Sequence, residues 1–351
     1  MIFASDNWAG ASDRVMAALA AAARTGGRAY GGDDLSRAVE KQLSALFERE
    51  VAVFFVGTGT AANTLAVSHH ARAGGVVLCH RHAHINTDEA GGIEALGGCK
   101  IAGIEGRDGK YTADALAARL DRFAPGSVHH GQPILASVSQ ITELGTAYTP
   151  EEIAAIAAVA KSRGLAMHMD GARFAGAMAH FGAAPADLTW RAGIDVLSLG
   201  GTKTGCIAAE AVVFFDPARA ADFAYRRQRT GHGFSKAWFI AAQFSAWLED
   251  GHWLDLARHA NAMGARLATA IRDSARARLA AEPAANEIFA IFPEDLAARL
   301  RAEGAVFHSW DVETLMPEDR PGKGETLVRL ITSFQTTADE VDDFAARLAA
   351  G

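Results

Sequence analysis

Short apolar runs alternate along this chain with longer stretches whose apolar positions recur at helical spacing. The runs Val51–Val56, Val76–Cys79, Ile101–Gly103, Pro133–Ser139, Leu165–Asp170, Ile194–Leu199 and Glu210–Phe215 read as strands. Between them, Val15–Ala23, Leu35–Phe47, Thr112–Phe123 and Pro150–Lys161 read as helices. Leu35, Val39, Leu43 and Leu46 fall on one face of the second helix, which Asp34 or Ser36 is placed to cap. Ser12-Asp13 is placed to cap the first, and Pro150 stands near the start of the fourth. Residues 236–267 read as one long helical stretch. Beyond it, strands are predicted at Glu287–Phe292, Ala305–Phe307 and Thr326–Thr332, and helices at Pro293–Ala302 and Thr337–Ala349. That alternation suits a small C-terminal α/β unit. The expected division is 1–240, an N-terminal segment with a large domain, and 241–351, a small domain.

Several predicted strands end in residues that carry chemistry. Ile194–Leu199 breaks into Gly200-Gly-Thr-Lys203, a glycine turn that presents a single lysine. An amine withdrawn from water is a usable nucleophile for a Schiff base. Seven lysines occur in the chain, and no other follows a buried strand in this way. Leu165–Met169 runs into Asp170 and then Gly171-Ala-Arg173. An acid and a lysine at neighbouring strand ends both lie on the rim where open α/β sheets bind ligands. Pyridoxal phosphate needs that pair: the lysine for attachment, the acid to hold the pyridinium proton so that the ring is an electron sink. Val51–Val56 leads through Gly57-Thr-Gly-Thr-Ala-Ala-Asn63 into a helix, a setting in which free N–H groups face a phosphate, with Gly59 and Thr60 at its centre. The pattern is neither the Walker loop nor a full GxGxxG, and a glycine turn made only for packing stays open.

These residues together carry a resemblance. His168-Met-Asp-Gly-Ala-Arg173 with Gly201-Thr-Lys203 resembles the threonine aldolase family of fold-type I pyridoxal-phosphate enzymes, and the resemblance extends from about residue 3 to the C-terminus. It implies an α/β fold like that of aspartate aminotransferase, with a large, mostly parallel seven-stranded sheet and a small C-terminal α/β domain. It implies pyridoxal 5′-phosphate on Lys203, Asp170 at the ring nitrogen and His84 stacked on the ring. Ser5, Arg173 and Arg329 are implied to meet the substrate carboxylate. Arg329 also interrupts an apolar strand, which is costly unless the side chain faces an anion. A structural ion pair is the competing reading of Arg173. Tyr30, before Gly31-Gly-Asp33, is implied to reach an active site, often a neighbouring subunit's. The competing reading is a loop tyrosine packed on its own turn.

Two stretches depart from the family pattern. After the Pro133–Ser139 strand comes Gln140-Ile-Thr-Glu143, where many members carry a histidine close to the substrate hydroxyl. A carboxylate at Glu143 can take the proton, hold a water or bind a cation. The basic run Tyr225-Arg-Arg-Gln-Arg-Thr-Gly-His-Gly233 corresponds to the family's phosphate-binding lysine and arginine, donated across a subunit boundary. Gln228 holds the lysine position, leaving Arg227 and Arg229, with Lys236 a further candidate. Arginine forks bind phosphate in a bidentate manner, whereas most charge runs are solvated surface. Glu89 reads as the opening of a helix whose dipole it complements, or as a group that orients others around the ring.

Composition narrows the setting. Half of the 351 residues are hydrophobic and 21% are charged, enough to bury a sizeable core. A net charge of −7 argues against a nucleic-acid or anionic-membrane surface. Cys79, Cys99 and Cys206 show no CxxC spacing, which favours a reducing cytoplasm. Neither a signal peptide nor a membrane span is expected. His80, His82 and His84 alternate, but no compact carboxylate or thiolate set follows them, and no metal site is expected. The expected activity is cleavage of the Cα–Cβ bond of a β-hydroxy-α-amino acid (threonine, allo-threonine or phenylserine type) to glycine and an aldehyde. The expected assembly is a homo-oligomer, a dimer or a dimer of dimers (a homotetramer). The alternatives are β-elimination, racemisation or transamination on the same scaffold, and a non-catalytic cofactor-binding protein.

Overall fold

A computed structural model describes residues 1–350 of the protein. Seven strands form the large sheet: β1 (Ala52–Val56), β2 (Gly75–His80), β3 (Lys100–Ile104), β4 (Gln132–Ser139), β5 (Ala166–Gly171), β6 (Val196–Gly200) and β7 (Glu210–Phe214). Their order is β1-β7-β6-β5-β4-β2-β3, and only β7 runs antiparallel to its neighbours. Helices cover both faces, so strands such as β2, β5 and β6 are buried throughout and read as unbroken apolar runs. Alternate residues serve opposite layers. Met167, Met169, Leu197 and Leu199 pack with Val39, Leu43, Phe47, Phe244 and Trp247. Val196, Val212 and Phe214 pack under the helix Gly59–His70, against Leu65 and Ala66.

The smaller antiparallel sheet comprises β8 (Arg278–Leu279), β9 (Glu287–Pro293), β10 (His308–Ser309) and β11 (Glu325–Ile331), in the order β10-β11-β9-β8. Its core joins Ile288, Ala290, Phe292, Val328 and Leu330 to Leu267, Leu296 and Phe344. Phe3 belongs to the same cluster. The N-terminal segment is laced in by hydrogen bonds from Phe3 N to Val306 O (2.8 Å) and from Ile331 N to Phe3 O (2.8 Å). That lacing sets the residues after Ala4 against the end of β11.

Three local expectations need correction. The stretch 236–267 is two helices, Trp238–Leu248 and His252–Asp273, broken at Glu249–Gly251 by positive φ at Asp250 (54°) and Gly251 (73°). The strand expected at Ala305–Phe307 is displaced to β10, because Val306 instead bridges to Ile2. The cap of the helix Asp34–Leu46 is Asp33, still extended, which accepts from Ser36 N at 2.7 Å; Asp34 is already helical.

Candidate active site

The C-terminal ends of β4, β5 and β6 meet the start of the helix Gly59–His70 around a cavity of about 530 Å³. This is the rim at which open parallel sheets bind ligands. Lys203 lines it from the short turn Thr202–Thr204 that follows β6. Gly201 N–H donates to Ala209 O at 3.0 Å, and Thr202 Oγ1 accepts from Ala209 N at 3.2 Å, tying the turn to the start of β7. Gly205 closes it at φ 100°, where an added Cβ would lie 2.6 Å from Leu256. The glycines flanking the lysine are therefore a backbone requirement.

Asp170, near the end of β5, lines the same cavity with both oxygens occupied by donors. Asn63 Nδ2 donates to Oδ2 at 2.8 Å, and Ala172 N to Oδ1 at 3.0 Å. Asn63 Nδ2 also reaches Glu89 Oε1 at 3.0 Å, and that oxygen lies 2.8 Å from His84 Nδ1. Asp170, Asn63, Glu89 and His84 thus form one chain of hydrogen bonds. The Glu89 bond holds the His84 imidazole above its ordinary pKa, against the effect of burial. Glu89 does not open a helix: the next one is Gly92–Gly97, and Glu89 is 3% exposed.

Glu143 follows β4. Its Oε1 accepts from Ser139 Oγ (2.6 Å) and from the main-chain N–H of His84 (2.9 Å), while Oε2 has no hydrogen-bond partner. Burial pushes this carboxyl up to about 7, against the two donors. On the opposite side, Thr58 caps the helix by accepting from Ala61 N at 3.1 Å, and Gly59 and Thr60 form its first turn on the cavity wall. An added Cβ at Gly59 would meet nothing within 4 Å. Packing does not explain that glycine; its lack of a side chain leaves the helix N-terminus bare toward the cavity.

Ser5, Arg173 and Arg329 close the third side. Arg173 donates from Nε to Asp6 Oδ2 (2.8 Å) and from Nη2 to Asp6 Oδ1 (3.1 Å), and its Nη1 lies 3.0 Å from Glu287 Oε2. Burial disfavours that guanidinium charge, but Asp6 and Glu287 more than restore it, raising its pKa. Arg329 lies over the Trp310 ring at 4.1 Å, and its Nη1 stands 3.8 Å from Glu287 Oε1. Its Nε has no partner.

The remaining site residues expected from the sequence are not brought to this cavity in their own chain. Tyr30 is 58% exposed at φ 61°. Arg227 donates to Phe55 O at 3.3 Å and lies over the Phe54 ring, and Arg229 is exposed. Conversely, Asn63, Asp6, Glu287, Glu210 and Trp310 were not singled out from the sequence. For Asn63 a signal existed, since it ends the Gly57–Asn63 string on the buried face of its helix.

The Lys203 amine, the buried Asp170 and a bare helix N-terminus around a single cavity fit pyridoxal 5′-phosphate. A chain with this fold and this donor set is a fold-type I pyridoxal-phosphate enzyme. It belongs to the beta-eliminating lyase family, which it matches over residues 3–294. It is 38% identical over 324 residues to a low specificity L-threonine aldolase of Pseudomonas sp. (strain NCIMB 10558), covering 89% of this chain and 93% of that one. It is 37% identical over 344 residues to the low specificity L-threonine aldolase of Pseudomonas aeruginosa, covering 98% and 95%. The solved Leishmania major threonine aldolase superposes with a TM-score of 0.91 at 28% identity, over 99% of this chain and 98% of that one.

Proposed function

We propose that this protein cleaves the Cα–Cβ bond of β-hydroxy-α-amino acids of the threonine and phenylserine type, giving glycine and an aldehyde. The observation that carries the reading is Glu143, a carboxylate with one free oxygen, on the cavity that also holds Lys203 and Asp170. The near-full-length likeness to low specificity L-threonine aldolases supports it. Bound pyridoxal phosphate supplies the sink for the electron pair released when the bond breaks.

In this reading the Lys203 amine would hold the cofactor. Asp170, held by Asn63 and Ala172 N, would keep a proton at the ring nitrogen, and His84, fixed by Glu89, would pack against the ring. Gly59 and Thr60 bind the phosphate with main-chain N–H groups. Arg329 grips the substrate carboxylate with Ser5 beside it, and Arg173 supports that end through Asp6 and Glu287. Holding the carboxylate and the amino group at fixed points would orient the Cα–Cβ bond for cleavage. Glu143 Oε2 takes the β-hydroxyl proton, which converts the C–O bond to the aldehyde carbonyl as Cα–Cβ breaks.

Among the described residues no helix is long and apolar enough to cross a membrane. The reading further places the protein in the cytoplasm as a homo-oligomer, a dimer or a dimer of dimers, in which Tyr30, Arg227 and Arg229 serve a neighbouring subunit's cavity. Their position away from their own cavity supports it.

The test is product analysis. Purified protein loaded with pyridoxal phosphate should convert phenylserine or threonine to glycine and benzaldehyde or acetaldehyde in equal amounts, and Lys203→Ala should abolish both products. Ammonia with a 2-oxo acid would replace this reading with β-elimination.

A further inference from the structure

Glu210 is the first residue of β7 and is 5% exposed, in register with Gly200 of β6 on one side and Val56 of β1 on the other. The rest of that strand is Ala-Val-Val-Phe. A carboxylate buried at the head of an apolar strand between two others is costly unless it serves a neighbouring group. Its Oε2 lies so close to Gly200 that an added Cβ there would come within 3.0 Å. Its chain neighbour Ala209 donates from N to Thr202 Oγ1 at 3.2 Å and accepts from Gly201 N at 3.0 Å, which pins the head of β7 to the turn. Thr202 directly precedes Lys203, and all three residues line the cavity.

The acids that act on Lys203 differ in their commitments. Asp6 is bound to Arg173 and Asn286, and Asp170 to Asn63 and Ala172 N. Glu210 has no arginine, lysine or histidine within ion-pair distance among the described residues, and its field acts on Lys203. His84 and the buried Cys206 thiol are the other titratable groups on this side. Burial pushes the Glu210 carboxyl up to about 7, while Thr202 and the Lys203 cation draw it back.

We infer that Glu210 is a positioning residue: buried where the head of β7 is pinned to the Thr202–Lys203 turn, it is the counter-charge that favours a proton on the nitrogen linking Lys203 to the cofactor. The inference rests on the pyridoxal-phosphate reading. It explains why a glycine, a threonine and a glutamate from two strands converge behind the lysine.

The test uses the visible absorption of bound pyridoxal phosphate, followed against pH in wild type and Glu210→Gln, which keeps the size of the side chain and removes its charge. The midpoint of the colour change should fall by at least one pH unit in the variant, a tenfold loss of proton affinity, with near-ultraviolet circular dichroism unchanged. Glu210→Asp, whose charge is withdrawn by one methylene, should fall between the two, and it carries the test if the glutamine variant fails to fold. Cofactor uptake with the wild-type midpoint in either variant overturns the inference and leaves the proposed function intact. A wild-type protein that takes up no cofactor overturns both.

Discussion

The main-chain N–H of His84 donates to Glu143 Oε1 at 2.9 Å, so the imidazole residue and the carboxylate on the cavity wall are held by one contact. Ser139 Oγ takes the same oxygen at 2.6 Å. Two donors on Oε1 fix the side chain and leave Oε2 as its free oxygen among the described residues. Under the proposed function, a carboxylate oriented in this way would serve as the base without a histidine at its position.

Glu143→Gln should therefore lower kcat by about 10²–10⁴-fold, the usual worth of a positioned general base. Because burial sets the carboxyl near 7, the wild-type rate should rise with pH through about 7, and the variant should lack that rise. A steady-state pH profile of retro-aldol cleavage checks both. An unaltered rate and profile in the variant would exclude Glu143 as the base.

The same substitution has a stability consequence of the opposite sign. The folded carboxyl titrates near 7 against an ordinary value of 4.5, so the fold favours the protonated form. Stability from this group is complete below the unfolded value and is lost as pH rises through the folded one. Glu143→Gln should therefore stabilise the protein by roughly 1–3 kcal/mol above pH 8 and by much less near pH 5. Thermal melts at the two pH values measure the difference. An equal gain at both would show that the carboxylate carries no burial cost.

Arg173 and Arg329 should separate cleanly. Arg173 is held by Asp6 and Glu287, and its loss leaves buried Asp6 without a cation and buried Glu287 with only the 3.8 Å contact to Arg329. Arg173→Leu should cost about 3–5 kcal/mol in a denaturant melt. Arg329 has a free Nε and a looser contact with Glu287 at 3.8 Å. Arg329→Leu should leave the melt within about 1 kcal/mol of wild type and raise KM by roughly 10–100-fold, as expected for lost charge-assisted bonds to a carboxylate. A large KM effect with normal stability in Arg173→Leu would instead give Arg173 the direct grip.

The parts of this site that were legible in the sequence are those made by local pattern. Asp170 and Lys203 stand at the ends of apolar runs, and a run buried on both faces announces where its strand stops. The glycines around Lys203 report backbone demands that act within a few residues. What pairs with these groups was not legible, because it arrives from far along the chain. Asn63 lies 107 residues from Asp170, and Asp6 lies 167 from Arg173. No periodicity connects positions that only the strand order brings together. Glu210 was hidden for another reason: as the first letter of an apolar run it reads as a polar boundary, whereas the antiparallel turn of β7 carries it back under the lysine loop. The break at Asp250-Gly251 falls at a turn dipeptide that the helical reading of 236–267 passed over.

Arg227, Arg229 and Tyr30 give the last prediction. None lines the cavity of its own chain, and the helix N-terminus at Gly59 and Thr60 offers an anion main-chain N–H groups and a hydroxyl but no cation. If a neighbouring subunit supplies the arginines, two defective chains should repair each other. Lys203→Ala removes the attachment point, and an Arg227→Ala/Arg229→Ala chain lacks the donated cations. A hybrid dimer of the two has one site with both defects and one with none. Co-expression should therefore restore roughly a quarter of wild-type activity, since about half of the dimers are hybrids with one sound site. Purifying the hybrid through two different affinity tags should raise that to about half. If each site is built from a single chain, no site in the hybrid is sound, and its activity stays at the level of the arginine variant alone.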